Sequence, residues 1–277
     1  MQKKNPTHKP AVPVTDFIPI KKWLKNNLFA SICMALAVLM LIGISIGIYA
    51  KEANDADASK GNGIIVAIDP GHGGNDPGKV SEDGIKEKDI NLAIGLKLKA
   101  KLEAAGYTVV ITRESDVSLA DAGASSWKRS DMMNRTGTIN AAKPDCLISI
   151  HQNSFTQPQI SGPQVFYHKE STEGMSLAQI IQAKLIEELN PSCKREIQSG
   201  DDYYILKKSE CVGVIVECGF LSNPEETKLL LDEVYQNALT DAICNGLNSY
   251  FNLNTPDTNN QNSDNNESDT VQRGNIL

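Results

Sequence analysis

Between Gly63 and Leu253, short apolar runs alternate with stretches of helical period, and this alternation limits the fold more than any other feature. Ile64–Asp69 (IIVAID), Tyr107–Thr112 (YTVVIT), Cys146–Ile150 (CLISI), Gln164–Tyr167 and Val212–Val216 (VGVIV) have strand length and composition. Ile90, Ile94, Leu98 and Leu102 recur at i+4 and predict a helix over 89–105 that Gly106 closes. Further helices are expected over 130–142, ending before Pro144, then around Leu177–Leu189, and over 233–250. Asn223-Pro224-Glu225-Glu226 reads as a helix start, with an Asn cap and Pro in the first turn. Such alternation predicts an α/β fold with a mostly parallel central sheet flanked by helices, whose ligands bind at the carboxyl ends of strands.

Three of those strand ends carry groups that suit a metal. The first run ends in IDPGHGG with His72, the third enters His151-Gln152-Asn153-Ser154, and VGVIV enters Glu217-Cys218. Glu87 stands just ahead of the first helix, in GIKEKDIN. If these ends converge, His72, Glu87 and His151 make a three-ligand zinc site. Such a site keeps its fourth position for water, whose pKa zinc lowers to about 7. Glu217 would then carry a proton from that water to a leaving nitrogen. Spacing alone leaves other readings open: a surface histidine, a helix-start charge for Glu87, a buried ion pair for Glu217. Asn153 and Arg113 are candidate substrate contacts, with a turn cap and a local ion pair as their alternatives. Arg135 reads as a structural ion-pair residue and His168 as a strand-edge residue.

Charge and hydropathy divide the rest of the chain. Residues 1–27 carry a net charge of +5 and residues 28–50 none, so the remainder carries −12 against a total of −7. An acidic body excludes general affinity for nucleic acid. Residues 28–50 lack charged residues, His, Asn, Gln and Pro, and as a helix would reach ~35 Å across a hydrocarbon core of about 30 Å. A signal-peptide core is shorter, about 7–15 residues. The expected order is a cytoplasmic basic segment (1–27), a transmembrane anchor (28–50), a linker (51–62), a catalytic domain (63–253) outside the cytoplasmic membrane and a disordered Asn-rich tail (254–277). Of six cysteines, five follow the anchor, so at least one would stay unpaired, and no C-x-x-C pair points to a cysteine zinc site. A cysteine hydrolase built on Cys218 or Cys146 is the rival enzyme, and a catalytically dead wall-binding module the rival outside enzymology. Cys218 follows Glu217 on a strand, so if one faces the cleft the other faces away.

IDPGHGGNDPG, GIKEKDINLAIGLKLKAKLEAAGY, VVITRESD, LISIHQNS and VIVECGFLSNPEE, in this order and over nearly all of residues 64–252, resemble the zinc-dependent N-acetylmuramoyl-L-alanine amidases. The resemblance implies an α/β fold around a mixed sheet, with His72, Glu87 and His151 as zinc ligands and Glu217 as the catalytic glutamate. It implies hydrolysis of the amide between the lactyl group of N-acetylmuramic acid and the L-alanine of the peptidoglycan stem peptide. SSWKRSDMMNR, SFTQPQISGPQVFYH and DDYYILKK, with one anchor and no wall-binding repeats, resemble the members that act on spore cortex. There, stem-peptide removal precedes a deacetylase and ring closure to muramic-δ-lactam; an activating accessory protein is a further implied partner. Lys79-Val80 departs from the Gly-Ala common among relatives, at a position expected to touch no ligand.

Overall fold

The computed structural model describes residues 61–253, together with Lys21 and nine positions between Ile32 and Ile44. Most of the expected anchor, nearly all of the expected linker and the whole expected tail lie outside the described residues. Among the described residues, no helix is long and apolar enough to cross a membrane. The chain divides into two compact units at Ser59–Lys60, and the second holds the α/β architecture.

Six strands form one mixed sheet. In chain order the elements are β1 (Ile65–Pro70), α1 (Glu87–Ala104), β2 (Thr108–Ile111), α2 (Trp127–Ala142), β3 (Cys146–Asn153), β4 (Gln164–His168), α3 (Thr172–Leu189), β5 (Gln198–Gly200), α4 (Tyr204–Lys208), β6 (Val212–Phe220), α5 (Pro224–Leu231) and α6 (Glu233–Tyr250). The strand order is β2-β1-β3-β6-β4-β5. The first four run parallel, β4 runs antiparallel to β6, and β5 runs parallel to β4. After β1 the chain goes first to one neighbour, β2, and then to the other, β3. The carboxyl ends of β1 and β3 therefore flank a crevice where a ligand can enter the edge of the sheet.

The two faces of the sheet differ. Val66, Ile68, Cys146, Ile148, Ile150, Val214, Val216 and Cys218 point to one side and pack with α1, α3 and α6 in the large core. The i+4 row of α1 lies wholly in that core. Ala67, Leu147, Ile215 and Phe166 point to the other side and meet Ile139 of α2 and Ile205 and Leu206 of α4, with Met132, Tyr203 and Cys211 packed at the margin. Local signals end the helices as the sequence predicts. Asn223 Oδ1 accepts from the N–H groups of Glu225 and Glu226 at 2.9 and 3.2 Å. Gly106 follows α1 at φ 85°, and α2 stops at Lys143 in the left-handed region, before Pro144. The strand β5 and the five-residue α4 are absent from the sequence expectation. Gln-Ser-Gly has no apolar residue, and one turn of helix is too short to show a period.

Polar residues on the smaller face form a closed network. Asp69 accepts from Arg135 Nη1 at 2.8 Å, Thr112 Oγ1 at 2.7 Å and Ser149 Oγ at 3.0 Å. Arg135, 2% exposed, also pairs through Nε with Asp131 one turn earlier on α2. Burial disfavours the Asp69 charge, but the Arg135 charge and these hydrogen bonds outweigh it and hold its pKa below the ordinary 3.8. This stabilisation is complete above the unfolded-state pKa and disappears as the pH falls through the lower folded-state value. Arg135→Met strands Asp69 as a buried unpaired charge, so chemical denaturation at neutral pH should show a loss of about 3–5 kcal/mol. The deficit should narrow as the pH drops below 3.8; a variant as stable as the parent at pH 7 would contradict the network.

Candidate metal centre

The loop after β1 carries His72 at φ 63°, a left-handed conformation costly for a side chain with a Cβ. Three consecutive carbonyls in this turn point inward and are caught by buried donors. Pro70 O accepts from Arg113 Nε at 2.9 Å and Arg135 Nη1 at 3.0 Å. Gly71 O accepts from Arg113 Nη2 at 3.0 Å and Asn91 Nδ2 at 3.1 Å. His72 O accepts from Arg135 Nη2. With the backbone fixed, the imidazole is oriented by Asp76, whose Oδ2 lies 2.9 Å from Nδ1 and leaves Nε2 toward Glu87 Oε1 at 3.3 Å.

Glu87 opens α1, where the helix dipole favours a carboxylate. Its Oε2 accepts from the Lys79 N–H at 2.8 Å, while its own N–H donates to Lys79 O at 2.8 Å. Lys79 thus holds Glu87 through backbone groups that any residue supplies, although the sequence places it away from the ligands. Glu87 Oε1 accepts from the Gln152 N–H at 3.1 Å and lies 3.0 Å from Nδ1 of His151. The two imidazoles meet edge to face at 5.0 Å. One donor atom from each of His72, Glu87 and His151 lies within 4.8 Å of the others, a group that can hold a metal ion. Two imidazole nitrogens and a carboxylate oxygen match the donor set of a three-ligand zinc site.

Close packing leaves two glycines no freedom to change. A Cβ on Gly71 would meet the His151 ring at 2.2 Å, and one on Gly78, at φ +66°, would meet Glu87 Oε2 at 2.6 Å and His72 Cδ2 at 2.7 Å. Without an ion, burial opposes charge on His72, but Glu87 and Asp76 outweigh it and raise its pKa to about 9. Burial likewise opposes the Glu87 charge, and hydrogen bonds from both histidines overcome it and hold the carboxyl far below its usual range.

Glu217 lies level with His151 on the neighbouring strand, and with Gln164 on the strand beyond. Its Oε2 is buried without a hydrogen-bond partner. Burial pushes its pKa up to about 7; the charge of Glu87 adds to this, and those of His151 and His72 oppose it. Cys218 points to the opposite face and lies in the large core, as does Cys146; burial raises both thiols. A cysteine nucleophile on either strand is thereby excluded, because the thiolate is disfavoured and the sulfur is out of reach.

The two candidate substrate contacts differ. Arg113 is 3% exposed, and four of its five donors go to the carbonyls of Pro70, Gly71, Lys88 and Ser115. It braces the His72 turn from behind, which corrects the expectation that it contacts substrate. Asn153 ends β3 past an irregularity in the register, and its Oδ1 accepts from the Ser154 N–H at 2.7 Å. His168 ends β4 and stands outside the metal group. Asp76 is not legible as a site residue in the sequence, whereas the glycines around His72 fit a close approach of backbone to a site, which Gly71 makes with the His151 ring.

Three donors able to hold a metal at the carboxyl edge of an α/β sheet, beside the half-buried carboxylate of Glu217, are a set that suits a hydrolase. Residues 66–249 match the N-acetylmuramoyl-L-alanine amidase family, Amidase_3, and the chain belongs to it. The germination-specific N-acetylmuramoyl-L-alanine amidase of Bacillus subtilis (strain 168) is 34% identical over 193 residues, covering 69% of this chain and 81% of that one. The CwlD amidase of Clostridioides difficile, solved in complex with the GerS lipoprotein, shares 38% identity at a TM-score of 0.67, covering 69% of this chain and all of that one. An N-acetylmuramoyl-L-alanine amidase of Clostridium difficile 630 shares 30% identity at a TM-score of 0.62, covering 70% of this chain and 100% of that one. The protein is a peptidoglycan amidase that cuts between N-acetylmuramic acid and L-alanine.

Asp76→Ala frees the imidazole of His72 and should weaken metal binding about 10–100-fold in a competition titration. Gly71→Ala should expel the His151 ring and lower zinc occupancy by metal analysis. Full occupancy in Gly71→Ala would show that His151 is dispensable.

Proposed function

We propose that His72, Glu87 and His151 hold one zinc ion and that Glu217 is the catalytic base and acid. The observation that carries this reading is the convergence of three N/O donors next to the half-buried carboxylate of Glu217, whose Oε2 is buried and unpartnered. Zinc, when bound, supplies Lewis acidity at the scissile carbonyl and acidifies the attacking water. Glu217 takes the proton of that water and delivers it to the alanine nitrogen as the C–N bond breaks. The products are the lactyl carboxylate and a stem peptide with a free amino terminus. Glu217 starts unpaired and poorly hydrated, so its gain and loss of a proton cost little rearrangement. Asp76 keeps the His72 Nε2 free to bind, and the Lys79 and Gln152 N–H groups hold Glu87 in one rotamer. Asn153, at the same edge, offers its amide Nδ2 to the substrate.

The setting we infer is the spore cortex, where stripped muramic acid is the substrate of a deacetylase and of lactam closure. The likeness to a germination-specific amidase supports it. The crystallised CwlD is bound to a lipoprotein, and we extend an accessory activating protein to this chain. The basic residues 1–27 and the uncharged residues 28–50 support a single-pass anchor with its N-terminus in the cytoplasm. The catalytic domain, residues 63–253, then lies outside the membrane, joined through a 51–62 linker and followed by the 254–277 tail.

Digestion of spore and vegetative peptidoglycan tests the chemistry. The zinc-loaded chain should release stem peptides that begin at L-alanine, identified by mass spectrometry, and a chelator should stop the release. Glu217→Gln should retain zinc and lose turnover by several orders of magnitude, because the proton carrier and its charge both go. Unchanged turnover in Glu217→Gln would remove it from the mechanism.

A further inference from the structure

The cleft at the metal group has two unlike ends. His151, Glu217 and Gln164 stand level on adjacent strands, a row with about 4.8 Å between members. Past Gln164 the row reaches a cation, with Arg195 Nη1 3.1 Å from Gln164 Oε1. Against His72 and His151 lies a cavity of about 140 Å³ whose lining includes the acids Asp76 and Asp131 and, on the first turns of α2, Trp127, Lys128 and Met132; α2 packs on β1, the strand on the side of His151 away from Gln164. The Trp127 ring sits on the first residue of α2, 39% exposed, with Lys128 Nζ 5.5 Å from its centroid. A rigid helix start therefore presents an indole to the open cleft.

The substrate has the same asymmetry. A pyranose, whose C–H bonds suit the negative face of an aromatic ring, lies on one side of the scissile amide. A stem peptide bearing carboxylates lies on the other. We propose that Trp127 and Met132 form the sugar subsite, with the muramic acid ring packed on the Trp127 indole. The stem peptide then runs along the strand ends toward Gln164 and Arg195. This assignment rests on the amidase activity and adds the direction in which substrate lies.

The two halves of the substrate, used as separate inhibitors of the full zinc-loaded chain, test it. The probes are the disaccharide N-acetylglucosaminyl-N-acetylmuramic acid and the free stem peptide, each competing against a disaccharide-peptide. Trp127→Leu keeps an apolar side chain and loses the π face. It should raise the inhibition constant of the disaccharide about tenfold and leave that of the peptide unchanged. Trp127→Phe should recover most of the loss. With Trp23→Phe the chain has Trp127 as its sole indole, and the disaccharide, not the peptide, should shift its emission. The subsite is wrong if the disaccharide fails to inhibit, if Trp127→Leu changes neither constant or both alike, or if the peptide alone moves the emission. Failure of the parent chain to cleave the disaccharide-peptide would instead overturn the amidase activity, and the subsite with it.

Discussion

Two buried guanidiniums hold three inward-facing carbonyls, and the metal group is built on that clamp. At the end of β1, Pro70, Gly71 and His72 turn their oxygens away from water, which is costly unless each finds a donor. Arg113 and Arg135 supply those donors, and Asn91 adds another. Side by side the two cations would repel, and Asp69 and Asp131 supply the compensating charge for Arg135. The clamp offsets the left-handed backbone of His72 and fixes where its imidazole points. It also ties the site to α2 and to the sheet, so displacing the ligand turn means breaking a buried ion network.

The sheet separates stability from chemistry by side-chain alternation. One face is dry and covered by three helices, and it takes Cys146, Cys218 and most of the aliphatic residues. The other face carries a small apolar cluster and gives its carboxyl edge to polar groups. Glu217 and Cys218 are adjacent in sequence and opposite in fate. The carboxylate shares the open edge with His151, while the thiol is packed away. Neighbouring groups orient each member of the His72, Glu87 and His151 set: the Asp76 carboxylate accepts from His72, the Lys79 and Gln152 N–H groups donate to Glu87, and Gly71 packs against the His151 ring. Glu217 leaves a buried oxygen without a hydrogen-bond partner at this edge, as the proposed proton carrier requires.

Much of this was legible in the sequence because it follows from short-range rules. Apolar runs that end at His72, His151 and Glu217 announce buried strands with polar ends, and the i+4 row of α1 announces the helix that carries Glu87. The opposite facings of Glu217 and Cys218 follow from the two-residue period. What was not legible depends on contacts between distant segments. Arg135 is legible as a structural ion-pair residue, but Arg113 is not, and only the turn it embraces makes it structural. Asp76 is one acid in a polar loop until its oxygen is placed on Nδ1 of His72. β5 pairs through backbone alone, so its side chains give no sign of it.

The most direct test of the metal centre is X-ray absorption at the zinc edge on the purified, zinc-loaded chain. The arrangement of His72, Glu87 and His151 predicts one zinc per chain with only nitrogen and oxygen neighbours at about 2.0–2.2 Å and the multiple-scattering signature of two imidazoles. A sulfur neighbour near 2.3 Å, or a zinc shell without imidazole, would place the metal elsewhere and contradict the account.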